Sequence, residues 1–449
     1  MTPGPGLYAR HLATVQAAAE EALRLARAAG RPCEGIAFHA GSLRYFHRDD
    51  IELPFRATPH FARFAPVPGP GHALLVQPGR APRLFLLAPR DYWCEAPARP
   101  EHPCWSALQV SEHESDEALR RAIGTLEGWA YVGPDAAWAA GLGVAPTAIE
   151  PAPLLAALDW ARGFKTEYEA ECLREAARVA ARGHEAVRRG VREGRSEREL
   201  HAAYLEASGQ LEHDTPYGNI IAWDERGAVL HYQTKRTSRP DPGQSFLIDA
   251  GGAAWGYASD VTRTYVLPGA PAAWRELVAR VHALQDDLVE RVAPGLDYVA
   301  LHARAEREIG AILSDVGLLR VGVEEALERA LVRPFFPHGL GHHLGLQVHD
   351  VGGKQQDPQG TQVAAPERWP HLRTTRPLAE RHLVTIEPGV YLIPLLLEPH
   401  RARGEAGIDW GLVDALLPCG GVRVEDDVLV TAEGRENLTR PYIPATPEA

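Results

Sequence analysis

Lysine and methionine are almost missing from this 449-residue chain. Lys165, Lys235 and Lys354 are the only lysines in an otherwise all-arginine basic complement, and Met1 is the sole methionine. The bias is compositional and carries no function. Cysteine is sparse: Cys33, Cys94, Cys104, Cys172 and Cys419 are odd in number, scattered, and form no Cys-x-x-Cys pair. That excludes a disulfide framework and fits small buried residues in a reducing compartment. No apolar run nears the ~20 residues of a membrane span; LFLLA and YLIPLLL are typical. The opening MTPGPGLYARHLATVQ has no basic stretch followed by an apolar one, so no signal peptide is expected. Basic tracts are missing too. Acids outnumber bases 59 to 47, a net charge of −12, which argues against nucleic acid or an anionic membrane as partner. The expectation is a soluble cytoplasmic protein.

The composition is otherwise globular, with 45% apolar and 24% charged residues, enough to bury a large core. The spacing of Leu7, His11, Val15, Ala18, Ala22 and Leu25 predicts a helix over 7–29. GIAFHAG, HALLVQP and RLFLLAP read as strands between Gly/Pro turns, with helices at 115–123 and 135–140. Residues 1–160 are therefore expected to form a smaller α/β domain. In 161–449, Thr166–Glu169 and Ser196–Glu199 match capping boxes before Ala-rich helices. NIIAW, AVLHY, SFLIDAG and GYASDVTRTYVL then read as strands, followed by helices at 272–292 and 298–316. LVTIEPGVYLI and GVRVEDDVLVT return to strand. Helices followed by strand pairs, twice over, predict an α+β domain with mostly antiparallel strands. The polar stretch 350–376 has no periodicity, the mark of a functional or disordered loop.

Five segments place an acid or a histidine among apolar strand residues. Asp249 ends FLID, and Asp260 follows it across AGGAAWGYAS, where Gly251 and Gly252 are suited to turn a hairpin. His338, His342, His343 and His349 crowd into twelve residues. Glu387 sits in TIEPGVY, and period-two alternation puts Arg423 and Glu425 on the face opposite Val422 and Val424. Each has a bland explanation alone. Together, four carboxylates and a histidine beside core strands would cost several kcal/mol per unpaired buried ion. Divalent metal removes that penalty, and two ions sharing carboxylates suit this many acids. Oxygen ligands with one imidazole suit manganese, cobalt or zinc.

The strings LIDAG, SDVTRT, PHGLGHHLGLQVHDVGG, LRTTR, TIEPGVY and GGVRVEDDV resemble the pita-bread dinuclear metallopeptidases, specifically the bacterial Xaa-Pro dipeptidase branch. LYARHLATVQ, RDDIELPFRATPHF and PRDYWCE resemble the non-catalytic domain of that branch, so the similarity runs from near residue 7 to near 440. The resemblance implies a pita-bread C-terminal catalytic domain and two divalent ions, manganese first. Asp249 would bind one ion, His342 and Glu387 the other, and Asp260 and Glu425 both. It implies active-site roles for His231, His338 and His349, and Arg423 as the residue holding Glu425. Tyr217 would line the pocket, and Arg373 would grip the substrate carboxylate, with Arg376 near enough to exchange roles. Asp50 and Trp93 would wall the pocket, Asp50 across a homodimer interface. His343 has no implied role.

The implied reaction is hydrolysis of Xaa-Pro dipeptides by a hydroxide shared between the two ions, with Glu387 shuttling the proton. A side activity on organophosphate triesters or fluorides is compatible with such a site. Aminopeptidase P, which has the same ligands and accepts longer peptides, is the main alternative. Creatinase-like enzymes lack the complete ligand set. A non-catalytic binding protein on this fold would typically have lost ligands.

Overall fold

The computed structural model describes residues 4–93, 99–239, 241 and 243–448. Cys94 therefore lies outside the described residues, and the other four cysteines are buried and unpaired. The chain divides into two compact units. Unit 1 takes residues 1–172 together with 355–362, and unit 2 takes 173–354 and 363–449.

Unit 1 opens with α1, Pro5–Ala28, whose Leu12, Val15, Ala19, Ala22 and Leu23 form one buried stripe. Its sheet holds β1 (Ile36–His39), β2 (Ala73–Val76), β3 (Arg83–Leu87), β4 (Gln109–His113) and β5 (Ala130–Val132) in the order β4-β3-β2-β1-β5. The β1–β2 and β2–β3 pairs are antiparallel, and β1–β5 and β3–β4 are parallel. Helix α2, Asp116–Ile123, starts where the Ser115 hydroxyl accepts from the Ala118 amide. Helix α3, Ala152–Arg162, packs along α1.

Thr166 and Glu169 form the expected reciprocal cap at the start of α4, Glu167–Arg192. The Thr166 amide donates to Glu169 Oε2 at 2.8 Å, and the Glu169 amide to Thr166 Oγ1 at 3.2 Å. The same carboxylate takes a two-pronged bond from buried Arg63, 3.2 Å for each prong. Burial alone would push the Glu169 carboxyl up. Arg63, His11, Lys165 and the Thr166 amide outweigh it and hold the carboxyl at about 2.

Unit 2 continues α4 and adds α5, Glu197–Ser208, whose Ser196–Glu199 capping box is complete. Next come β6 (Ile220–Trp223), β7 (Ser245–Asp249), the short hairpin β8 (Ala253–Ala254) and β9 (Tyr257–Ala258), and β10 (Thr262–Val266). Two long helices follow, α6 (Ala272–Glu290) and α7 (Tyr298–Val316). β11 (Leu383–Ile386), β12 (Gly389–Tyr391), α8 (Pro394–Ala402), β13 (Gly421–Arg423), β14 (Asp426–Thr431) and β15 (Gly434–Asn437) complete the unit. The sheets run β10-β7-β6, β11-β14-β15, β12-β13 and β8-β9, and the strands paired within them are antiparallel. Trp274, Leu277 and Val281 of α6 and Leu301 and Ile309 of α7 share one core with Val384, Ile386, Val390, Val422, Val424 and Val428. The helices thus cover one side of the strands and leave the other for polar groups.

Two local expectations fail. AVLHY is not a strand: Asp224–Ala228 forms a 3₁₀ turn and the chain leaves the sheet. Asp224 takes a left-handed φ of 54°, and its carboxylate accepts the Gln244 and Ser245 amides at 2.7 and 2.9 Å, which fixes that departure. The turn between β7 and β10 is also displaced. It is made by Trp255 and Gly256 (φ 54° and 86°), not by Gly251 and Gly252. Those two glycines are needed for close packing. A Cβ would meet the Ser259 carbonyl oxygen 2.1 Å from Gly251 and the Ala176 carbonyl oxygen 2.3 Å from Gly252.

Candidate metal centre

Antiparallel pairing of β7 with β10 sets Asp249 opposite Thr262, so Asp260 lies one pleat away. The Glu425 amide donates to the Thr262 carbonyl at 3.1 Å, joining the β13–β14 corner to β10. With Val422 and Val424 in the core, Arg423 and Glu425 turn to the opposite side. His342 is tied to β11 by reciprocal bonds with Thr385. Its Nδ1 donates to the His343 carbonyl at 2.9 Å, which leaves Nε2 as the ligating nitrogen. That Nε2 lies 3.4 Å from Asp260 Oδ2 and 3.9 Å from Glu387 Oε1. One ligand atom each of Asp260, His342 and Glu425 fall within 4.8 Å of one another.

Burial and the neighbouring Asp260, Glu387 and Asp249 push the Glu425 carboxyl well above the carboxylate range. Burial lifts Glu387 to about 7 against the pull of His342 and Arg423. Burial raises Asp249 as well, opposed by Arg423. Asp260 goes the other way: burial would raise it, and His342 beside it outweighs that. Asp249 Oδ1 is buried with no hydrogen-bond partner, while Oδ2 takes the Arg423 bond at 2.6 Å. An unsatisfied carboxylate oxygen, crowded acids and one imidazole without thiolate fit a divalent cation.

Arg423 departs from its expected role. It grips Asp249 directly and reaches Glu425 only through Thr262. Arg423 Nε donates to Thr262 Oγ1 at 3.0 Å, and that hydroxyl donates to Glu425 Oε2 at 2.7 Å. Arg423 Nη1 also donates to the Tyr391 hydroxyl at 2.8 Å. Arginine has no acceptor, so the Tyr391 proton must go to His338 Nε2, also 2.8 Å away. His338 is then a neutral Nδ1–H tautomer that donates to the Gly339 carbonyl, with Glu387 Oε2 at 3.8 Å. Burial, which lowers His338 to about 3, agrees.

Of the remaining expected residues, His349 packs edge-on to His342, ring centres 4.5 Å apart. Burial, then His342 and Arg373, lower it to about 4, and His231 adds to the same field. His231 stands in an exposed turn, not a strand. The Tyr217 hydroxyl accepts the Val261 amide at 3.4 Å, and burial and the neighbouring Asp249 and Asp260 push it well above its ordinary value. Arg373 is exposed, whereas Arg376 is buried and lowered to about 10 by that burial. Asp50 and Trp93 belong to unit 1. Asp50 is exposed, and Trp93 is 79% exposed beside Tyr92.

Sequence reasoning missed Thr262, Thr264 and Tyr391 among the groups that orient the site. Asp427 was missed as well, although its carboxylate accepts the Asp260 amide at 3.1 Å. The signal was present: Asp260, two residues before β10, and Thr262 and Thr264 within it alternate as a polar face.

The family described as "Metallopeptidase family M24" matches residues 171–432, and "Xaa-Pro dipeptidase, N-terminal domain" matches 6–160. A Shewanella amazonensis protein named Xaa-Pro dipeptidase is 40% identical over 410 residues, 91% of this chain and 92% of its own length. One from Xanthomonas oryzae pv. oryzae is 41% identical over 98% of both chains. In three dimensions the chain is similar to Escherichia coli aminopeptidase P with the inhibitor Pro-Leu. The TM-score is 0.73 at 23% identity, over 100% of this chain and 97% of that one. Pseudomonas aeruginosa aminopeptidase PepP gives 0.72 at 24% over 99% and 96%. The architecture is therefore pita-bread. This chain belongs to metallopeptidase family M24, with the N-terminal domain that marks its Xaa-Pro dipeptidases.

Proposed function

We propose that the protein hydrolyses Xaa-Pro dipeptides. One observation carries the reading: Asp260, His342 and Glu425 converge at a buried centre, flanked by Glu387 and Asp249, in a chain about 40% identical to named Xaa-Pro dipeptidases. Asp249 would hold one divalent ion, His342 and Glu387 a second, and Asp260 and Glu425 both. Manganese is proposed ahead of cobalt and zinc. Bound there, the ions supply an acidified water and a Lewis acid for the peptide carbonyl.

The chain's own groups do the rest. Glu387 accepts the water proton and delivers it to the prolyl nitrogen, a tertiary amide nitrogen that leaves only when protonated. His231 or His349 donates to the oxygen that gains charge. His338, locked as the Nδ1–H tautomer, faces Glu387 and holds its orientation. Tyr217 lines the pocket. Arg373, beside His349, receives the proline carboxylate, which restricts the substrate to a dipeptide. Asp50 and Trp93 complete the wall, Asp50 from the partner of a homodimer. Unit 1 exposes Tyr45, Phe46 and Ile51 on one turn and Tyr92 and Trp93 on another, apolar area of the kind a dimer covers. No helix among the described residues is long and apolar enough to cross a membrane, and a cytoplasmic location is proposed. Phosphotriesters and phosphorofluoridates are secondary substrates of the same site.

The test is hydrolysis of Gly-Pro, Leu-Pro and a Xaa-Pro tripeptide by metal-stripped protein, with and without Mn²⁺. Dipeptide cleavage restored only by metal, with the tripeptide spared, is expected. Tripeptide cleavage assigns aminopeptidase P activity instead, and silence with metal bound assigns a binding role.

A further inference from the structure

A second cavity of about 380 Å³ opens in unit 2 beside the catalytic residues. Its charge runs against the rest of the molecule. Acids outnumber bases in the chain, yet this lining contains Arg329, Arg333, Arg368 and Arg403 and no carboxylate. Two of these arginines are held from behind. Glu325 and Glu405 pair with Arg329, and buried Glu306 pairs with Arg368 at 2.8 Å. Arg368 also lies over the Trp369 ring, 5.4 Å from its centre. These contacts fix the positions of the guanidinium groups and leave other N–H donors over.

Arg333 has no hydrogen-bond or ion-pair partner among the described residues. Arg403 Nη2 donates to His400 Nδ1 at 2.8 Å, so His400 is neutral and carries its proton on Nε2. The wall thus offers cationic and neutral donors, and no carboxylate lines it. Phe336, Trp369, Leu372 and Leu396 supply an apolar surface between them. Donors of one sign around an apolar body complement an amphipathic anion. His338 borders both this cavity and, at 3.8 Å, Glu387.

We propose that this cavity is a second binding site, for a small organic anion with an apolar body, adjoining the catalytic centre at His338. The metal ligands take no part in it, and it stands whether or not the dipeptidase reading does.

The probe is 8-anilinonaphthalene-1-sulfonate, a sulfonate on an aromatic body, titrated by fluorescence into full-length protein. Saturable one-to-one binding is expected. Charge reversal at Arg333 and Arg403 (R333E, R403E) is expected to weaken it by about tenfold or more for each charge-assisted hydrogen bond removed. Dipeptide turnover should be unchanged and serves as the check on folding. R333Q, which only removes charge, should give a smaller loss in the same direction. R373A, in the catalytic pocket, should leave the affinity unaltered. Undiminished binding in R333E and R403E overturns the proposal, as does binding abolished by R373A instead, or the absence of a saturable phase in wild-type protein.

Discussion

Glu425→Gln separates what the buried carboxylates do without a cation from what they do with one. Ligand atoms of Glu425 and Asp260 lie within 4.8 Å of each other. Two ionised carboxylates at that distance repel by about 3 kcal/mol at an effective dielectric of about 20. Glu425 escapes part of this by taking up a proton, and its raised pKa records that response. The amide of E425Q carries no charge and still offers an oxygen to the Thr262 hydroxyl. In excess chelator near pH 8 the variant is therefore expected to be at least as stable as wild type, by up to about 3 kcal/mol. With Mn²⁺ at about 100 times its Kd the order reverses. Wild type gains about 2.7 kcal/mol by mass action. That is roughly 5 °C in Tm at about 2 °C per kcal/mol for a unit of this size. E425Q loses most of the gain because a charged ligand is missing. Differential scanning calorimetry in chelator and in Mn²⁺, with metal content measured on the same samples, reads both effects. An equal Mn²⁺-induced rise in the two proteins refutes the reasoning, and so does a wild-type Tm that chelator leaves unmoved.

Glu387→Gln keeps the fold but is expected to lower kcat by about 10² or more; unchanged turnover with metal bound removes the proton-shuttle role. Arg373→Ala should raise KM for dipeptides and spare substrates without a free carboxylate. Equal loss on both contradicts that role, and the KM effect appearing in Arg376→Ala instead moves it to the buried arginine. In unit 1 the folded Glu169 carboxyl sits at about 2, against about 4.5 unfolded, so its stabilisation is complete above pH 4.5 and fades as pH falls toward 2. The shift corresponds to about 3 kcal/mol. The Tm gap between wild type and Glu169→Gln should close over that window, and a gap that persists at pH 2 contradicts the linkage. Gly252→Ala should destabilise, because its Cβ would lie 2.3 Å from the Ala176 carbonyl oxygen; a Tm within a degree of wild type would mean that α4 and β8 shift apart at little cost.

The readings that came from the sequence alone were best where local chemistry decides. Ser196 and Glu199 announce a helix start because the cap is made within four residues. The limits of α7, Tyr298–Val316, follow from its apolar spacing and from the Asp297 cap. The convergence of Asp260, His342 and Glu425 was legible because a carboxylate among core valines needs a reason. What stayed hidden depends on partners far along the chain. AVLHY has strand composition, but Asp224 captures the amides of Gln244 and Ser245, some twenty residues away, and bends the chain out of the sheet. Arg423 was matched to Glu425, two residues off, when its closest carboxylate is Asp249, 174 residues earlier. The tautomer of His338 follows from Tyr391, whose hydroxyl direction is set by Arg423, and no spacing rule encodes that.

The assignment of residues 355–362 to unit 1 has a consequence for synthesis. Gln355 Nε2 donates to the Ala156 carbonyl at 2.7 Å, and Gly360 packs against the Ala156 methyl group. The ribosome makes these contacts available only about 190 residues after Cys172, where the first stretch of unit 1 ends. At roughly 5–20 residues per second, that is a wait of about 10–40 s. During it the first 172 residues must persist without their last segment, and a fragment ending near Cys172 would be arrested in that intermediate condition.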